Sequence, residues 1–511
     1  MTSFKKNLAD TALTPTALFW LFAGIYFACW TVVPTFAIAN VPIDTLEGYA
    51  WGHEWQLGSY KHPPLAAWIL EALAILTRRA SWAHFFANEV SVFVAFWAVW
   101  RTGKRIVGEN KALVAVGLLA VVPYYNILIP EFNPNVLQLP FWALIGWSFH
   151  RAVKENKTID WLALGLWSAA GMYSKYSTAL LLAALIALML GHPEARKHLK
   201  SKGPWLTILF GMALMMPHIV WLFENRFMPF TYAENRFQHP PYPFDFIIVP
   251  AQFVFWQALT LLPAIVLYAG SFGKPRAAAQ GRDIPFDKAF LYTVAFGPAL
   301  ITALIAMGTR DVIRNMWATP DWNFIGLWAV YAFTPALSPH RLRRFAGLWI
   351  FFFVVGLAGF VYVEALAPYV THKVKRINFS GKLFAAQISK NWHERYHTPL
   401  RYVVGDTWIG GNIAYYAPDR PHLLIFGNYE ISPWIKPADI GKDGGVIVWC
   451  GLNCDVRDHD AVPPYLRTEF PQAQIQKALI FPQGTHAQVP LGMVDWAIIP
   501  PRDAANGQQK P

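Results

Sequence analysis

Apolar runs, broken by short polar and charged segments, fill the first 370 residues. They lie at about 15–39, 82–101, 111–129, 135–150, 159–173, 175–191, 204–223, 246–270, 288–308, 317–336 and 345–366. A bilayer core of about 30 Å needs roughly 20 apolar residues in helical form, so the pattern predicts about eleven transmembrane helices. The pair between Asp160 and Leu190 is short in each member and also fits one long tilted helix. Leu65 to Leu76 is apolar but too short to span, and is predicted to lie along the interface. The first run is long enough to span, shows no convincing small-residue cleavage site and reads as an uncleaved helix.

Beyond residue 370 the pattern changes. Lys382 to Tyr396 reads as an amphipathic helix and Trp408 to Tyr416 as a second helix. Leu400 to Val404, Leu423 to Phe426 and Val446 to Trp449 read as strands. The predicted fold class is a polytopic α-helical membrane module over 1–370, with an outer loop over 39–81, followed by a small α/β domain over 371–511.

Composition supports this division. Hydrophobic residues make up 55% of the chain and charged ones 14%, too few to cover a globular surface when soluble chains average about 25%. The net charge of +12 would suit nucleic acid only if it gathered on one soluble face. Here it sits between the apolar runs, so nucleic acid is not an expected partner. With the N-terminus inside, the inner loops up to residue 370 hold twenty Lys and Arg and the outer ones eight. This is the asymmetry of the positive-inside rule. Merging the weak pair would place the later basic loops outside, so the count favours two helices there. An odd number of spans puts the α/β domain outside. Cys450 and Cys454 lie in that domain and could form a disulfide in an oxidising compartment.

The outer loops collect the unusual polar residues. Asp44 follows the first run, and Glu47 comes three residues later, on the same face of a helical turn. The plain alternative is a helix cap and a solvated glutamate. The Trp and Tyr residues between 49 and 60 fit an aromatic belt. E-F-N-P-N (Glu131 to Asn135) fits an Asn-Pro turn or a site holding Asn133. Y-S-K-Y (Tyr173 to Tyr176) offers Lys175 as a snorkelling lysine or a ligand. Two further loops supply Asn225, Arg226, Glu234 and Arg236. Arg310 and Arg314, four apart, could share a helical face that suits a phosphate, or belong to a solvated loop. There is no Walker A loop, no dinucleotide fingerprint and no H-E-x-x-H. A lipid or glycan flippase or transporter is the alternative class, but polar residues along the middle of the helices are scarce.

The segment D-T-L-E-G-Y-A-W-G-H-E-W-Q-L-G-S-Y-K-H-P-P-L (44–65) resembles the first outer loop of bacterial membrane glycosyltransferases of the GT-C fold. These are the dolichyl-phosphate-mannose–protein mannosyltransferase-like enzymes of family 39. F-N-P-N, S-K-Y, P-H-I-V-W-L-F-E-N-R-F and R-N-M-W-A-T-P-D-W extend the resemblance along most of the chain. It implies an enzyme of the bacterial inner membrane with its C-terminal domain in the periplasm. Such an enzyme moves a sugar, with inversion, from a polyprenyl-phosphate carrier to a hydroxyl of an envelope lipid, glycan or protein. Asp44 matches the family's essential acidic residue, and Glu47 stands where a second acid is displaced. The implied substrate-binding set is Lys61, His62, Asn133, Lys175, Tyr176, Asn225, Arg236, Arg310 and Arg314. Lys61, His62, Arg310 and Arg314 are the expected counter-cations for the leaving phosphate, with Lys175 behind them. No cofactor is required, and a divalent cation bridging Asp44 and Glu47 is compatible with the pattern.

Overall fold

The computed structural model describes residues 13–236, 242–274, 284–310, 313–371, 375–452, 462–481 and 492–502. The first long helix, α1 (Pro15–Ala37), is followed by two short ones, α2 (Ile43–His53) and α3 (Leu65–Leu76). The bundle continues with α4 (Ala83–Ile106), α5 (Glu109–Ala120), α6 (Pro134–Glu155), α7 (Thr158–Ser174) and α8 (Thr178–Gly191). It is completed by α9 (Gly203–Glu224), α10 (Met228–Arg236), α11 (Asp245–Phe272), α12 (Phe286–Thr309), α13 (Ile325–Phe333) and α14 (Pro339–Val361). A π-helical turn carries α14 on to Thr371.

All eleven predicted runs contain helix, but they are not equivalent. Among the described residues, α1, α4, α9, α11, α12 and the run Pro339–Thr371 are each long and apolar enough to cross a membrane. A seventh crossing results if α8 and Pro193–Lys200, bent by 91° at their junction, act as one span. The expected helix over 317–336 is instead a 3-10 stretch (Asn315–Trp322) followed by the nine-residue α13. Pro320 lacks the N–H that a continuous α-helix would use there. Between Asp160 and Leu190 the chain forms two helices, broken at Lys175, whose backbone is extended.

The helices pack through their aromatic faces. Phe19 of α1 stacks on Trp100 of α4 at 4.2 Å. The buried Tyr26 hydroxyl donates to the carbonyls of Tyr125 (2.6 Å) and Ala120 (3.1 Å), meeting the demand that polar groups in an apolar interior be paired. α2 and α3 form a tight hairpin, in which a Cβ on Gly52 would run into the Ala67 carbonyl. Of the aromatic residues expected in a belt, Trp55 is 50% exposed, whereas Tyr49, Trp51 and Tyr60 do not fit one. Those three are buried in the packing around the hairpin.

After the bundle come α15 (Gly381–Tyr396) and α16 (Ile409–Tyr416), packed on a six-stranded sheet. The strands are β1 (Tyr402–Gly405), β2 (His422–Ile425), β3 (Gly445–Leu452), β4 (Gln474–Ile475), β5 (Leu479–Phe481) and β6 (Gly492–Ile499). Their order is β2-β1-β3-β6-β4, with β5 also on β6. β1 pairs in parallel with β2 and β3, whereas β6 runs antiparallel to its neighbours. Side chains alternate between the two faces. Val403, Leu423, Val446 and Val448 join the core shared with the helical bundle, while Val404, Leu424, Ile447 and Trp449 form a second core behind the sheet. Cys450 lies in β3; Cys454 lies outside the described residues.

Helix α16 and the loop that follows it sit on the α2–α3 hairpin, with β2 also touching α2. Arg420 makes two hydrogen bonds to Glu71 of α3, at 2.8 and 2.7 Å. Arg79 donates to the carbonyls of Tyr415 (2.8 Å) and Ala417 (3.0 Å). Tyr415 stacks on Tyr49 of α2 at 4.3 Å. The two halves therefore share one core through the hairpin that carries Asp44 and Glu47.

Candidate active site

Asp44 lies in the first turn of α2, where a negative charge meets the positive end of the helix dipole. Its backbone N–H donates to Glu131 Oε1 at 2.8 Å, and the Thr45 hydroxyl donates to the Phe132 carbonyl at 3.0 Å. These two bonds clamp the 131–133 loop onto the start of α2. Glu47, one helical turn on, is buried and accepts a hydrogen bond from Lys61 Nζ at 2.5 Å. Thr407, from the α/β half, also favours the charged Glu47 carboxylate.

Lys61 is placed by its own loop. The Ser59 N–H and hydroxyl both donate to the His62 carbonyl (3.0 and 3.1 Å), and the His62 N–H returns a bond to the Ser59 hydroxyl (3.1 Å). The Lys61 ammonium then stands among the rings of Tyr60, Tyr232 and Trp51, at 5.2, 5.4 and 5.8 Å. Aromatic faces of this kind stabilise a cation. Burial works against the charge of Lys61, but the Glu47 carboxylate and the Tyr60 hydroxyl overcome it and raise its affinity for the proton.

A second cation comes from the break between α7 and α8. Lys175 Nζ donates to Asn135 Oδ1 at 2.5 Å and lies 5.4 Å from the Trp317 ring. Burial brings the Lys175 ammonium down to about 8, against the opposing charges of Asp44 and Asp321. The charges of Lys61, Lys175, Arg314 and Arg236 all act on Asp44 and favour its ionised form. Burial outweighs them, so the Asp44 carboxyl is held above its ordinary value. Burial and the charge of Asp44 push the neighbouring Glu131 up to about 8. Each of the two carboxyl groups therefore disfavours the charged form of the other.

The remaining expected residues fall into two groups. Arg236 and Arg314 join the cluster: Arg236 is tied to the Tyr232 hydroxyl at 2.6 Å, and Arg314 leads into the 3-10 stretch beside Trp317. Arg310 does not. α12 ends at Thr309, Arg310 has φ 59°, and its guanidinium lies 5.9 Å from the Phe246 ring. The left-handed cap turns the chain out of the helix, so Arg310 and Arg314 do not share a helical face. His62 is not a counter-cation either: burial, with Lys175 and Lys61 beside it, lowers its imidazole to about 3.

Asn133, Asn225 and Tyr176 serve the framework. Asn133 caps α6, accepting from the N–H groups of Asn135 (2.9 Å) and Val136 (3.3 Å). Asn225 donates to the Trp221 carbonyl at 2.9 Å and closes the end of α9. The Tyr176 hydroxyl meets His218 Nε2 at 2.9 Å, and His218 Nδ1 meets the Leu57 carbonyl at 2.6 Å. A carbonyl only accepts, so Nδ1 carries the proton and Tyr176 donates to Nε2. That chain holds the 55–62 loop against α9.

Glu131, Asn135, Asp321 and Thr407 were not anticipated. Glu131 and Asn135 lie in the E-F-N-P-N turn, where proline and asparagine suggested a turn and masked the carboxylate. Asp321 is buried in T-P-D-W, with one carboxylate oxygen unpaired and the charge of Lys175 acting on it. Thr407 carries no local signal, because its partner is 360 residues away.

Residues 61–221 match the dolichyl-phosphate-mannose-protein mannosyltransferase family. The chain also superimposes on ArnT from Cupriavidus metallidurans, solved with undecaprenyl phosphate, with a TM-score of 0.59 at 13% identity. That match covers 94% of this chain and 97% of ArnT. The chain is a membrane protein of the GT-C glycosyltransferase fold. The resemblance seen in the outer-loop motifs therefore holds across its architecture. Curated relatives are more distant in identity than in extent. The lipopolysaccharide core galacturonosyltransferase RgtA of Rhizobium johnstonii is 23% identical over 449 residues, covering 84% of this chain and 86% of that protein. RgtB of the same organism is 22% identical over 445 residues, covering 84% and 87%. The chain thus has the GT-C fold, with membrane-spanning helices and a small C-terminal sheet.

Proposed function

We propose that the protein transfers a sugar from a polyprenyl-phosphate carrier to a hydroxyl of the lipopolysaccharide core or a related envelope lipid. The site faces the periplasm of a bacterial inner membrane, and the sheet half lies on the same side. The observation that carries this reading is Asp44, half-buried at the start of α2 and acted on by Lys61, Lys175, Arg236 and Arg314.

The chemistry is a single displacement. Asp44 takes the proton of the acceptor hydroxyl as its oxygen attacks the anomeric carbon, and the bond from that carbon to the phosphate oxygen breaks with inversion. The electron pair leaves with the polyprenyl phosphate, which gains negative charge. Cations set in advance at that position stabilise the transition state more than the ground state. Lys61 and Lys175 are fixed by Glu47 and Asn135, so little reorganisation accompanies the charge shift. Glu47 has Lys61 as its counter-charge, and no step requires a metal.

The names of RgtA and RgtB point to a hexuronic acid as the sugar. Its carboxylate would add a second anion to the same basic pocket. The test is transfer by purified protein in detergent, with a lipopolysaccharide core acceptor and either polyprenyl-phosphate galacturonate or polyprenyl-phosphate mannose as donor. The expected result is a core gaining one hexuronic acid, with one polyprenyl phosphate released per transfer. Transfer of mannose alone would overturn the sugar, and no released polyprenyl phosphate with either donor would overturn the reaction.

A further inference from the structure

We infer that His53, Glu54 and His422 form a binding site for a transition-metal ion of the zinc class, which clasps the end of α2 to the first residue of β2. The site lies at the opposite end of α2 from Asp44 and is independent of the glycosyl-transfer reading.

The three residues come together across 368 positions of sequence, and one ligand atom from each lies within 4.8 Å of the other two. His422 Nδ1 stands 2.9 and 3.1 Å from the two Glu54 carboxylate oxygens. Zinc bonds to nitrogen and oxygen of about 2.0–2.1 Å give a tetrahedral edge of roughly 3.3 Å, so a small movement would admit an ion between them. The His53 and His422 rings stack at 5.1 Å, inclined by 30°.

The negative charge at the site comes from Glu54, while the guanidinium groups of Arg401 and Arg420 oppose positive charge on His422. The Glu54 side chain is only 6% exposed, and its ion-pair partner among the described residues is an imidazole. Glu71, by contrast, is matched by the guanidinium of Arg420. Glu71 also stands 3.5 Å from His53 Nδ1. A carboxylate holding one ring N–H leaves the other nitrogen's lone pair for a metal, the usual outer arrangement around a metal-bound histidine. Residues 53 and 54 end α2, where the helix dipole is negative. Two imidazoles and one carboxylate, with no thiolate, suit zinc rather than magnesium or calcium. Three protein ligands leave a fourth position for water. Such an ion would fix the axial position and rotation of α2, and hence of Asp44 and Glu47, relative to the sheet.

The test uses the full-length protein in detergent, stripped with chelator and titrated with Co2+ and then Zn2+. Wild type is expected to take up one Co2+ per chain with the visible bands of a tetrahedral site, and Zn2+ should displace it and raise the melting midpoint. The His53→Gln/His422→Gln variant should lose the bands and the Zn2+-dependent shift, and Glu54→Gln should weaken both should the double variant fold poorly. Asp44→Asn should keep them. Failure of wild type to bind Co2+, equal binding by the His53→Gln/His422→Gln and Glu54→Gln variants, or loss of the bands in Asp44→Asn would each overturn the site.

Discussion

At Asp44, burial and charge pull in opposite directions. Burial raises the carboxyl, and four cations favour its ionised form. That balance suits a general base, whose affinity for a proton should lie near the working pH. Lys175 sets the opposite limit. Burial lowers it to about 8, so it is charged below that pH and loses its proton as the pH rises through it. Activity should therefore fall on the acid side as Asp44 is protonated, and on the alkaline side near pH 8 as the phosphate-binding charge disappears. A guanidinium stays charged throughout this range, so Lys175→Arg should move the alkaline limb of kcat/KM upward by a pH unit or more. A limb that stays in place would assign it to Glu131 instead. Asp44, Lys61 and Lys175 were legible because charged residues in outer loops of a hydrophobic chain stand out. Glu131 stood in such a loop but beside a proline, and Asp321 stood inside the apolar run over 317–336; only their burial reveals their chemistry.

Among the elements, the α2–α3 hairpin does most to define the site. Leu65–Leu76 was readable from length and apolar pattern and bounded to the residue, whereas α2 was anticipated only as a helical turn at Asp44 and Glu47. The strands β1, β2 and β3 were also anticipated, whereas β4, β5 and β6 were not. β4 and β5 have only two and three residues, too few for an alternating pattern to register. Docking of the sheet onto the hairpin could not be read at all, because Arg420 and Glu71 are 349 residues apart. The Glu71 side chain is 3% exposed and that of Arg420 18%. Removing one partner strands a buried charge, a change that costs about 3–5 kcal/mol. Arg420→Ala should destabilise the protein by that order, seen as a lower melting midpoint and faster proteolysis between the bundle and the sheet. Glu71→Met/Arg420→Met should recover part of the loss. Equal stability of wild type and Arg420→Ala would mean that the pair does not hold the halves together.

For the whole molecule, hydropathy and loop charge predicted a helical membrane module followed by a small α/β domain, and the GT-C fold and the mixed sheet agree. The helices diverge from the apolar runs where the interior is protein rather than lipid. α6 is nearly all buried and carries Gln138, Ser148 and His150 inside the bundle, so its membrane signal is diluted. Near residue 320, proline replaces a single span with a 3-10 stretch that brings Trp317 to Lys175 and Asp321 within reach of its charge. The bundle thus presents several loop residues around the Asp44 carboxylate at the start of α2. Single-turnover transfer by Asp44→Asn, at saturating polyprenyl-phosphate sugar and with folded protein verified by its melting midpoint, tests that arrangement most directly. The account predicts a loss of about 10²–10⁴-fold in rate with donor affinity little changed. A rate within a few-fold of wild type would contradict it.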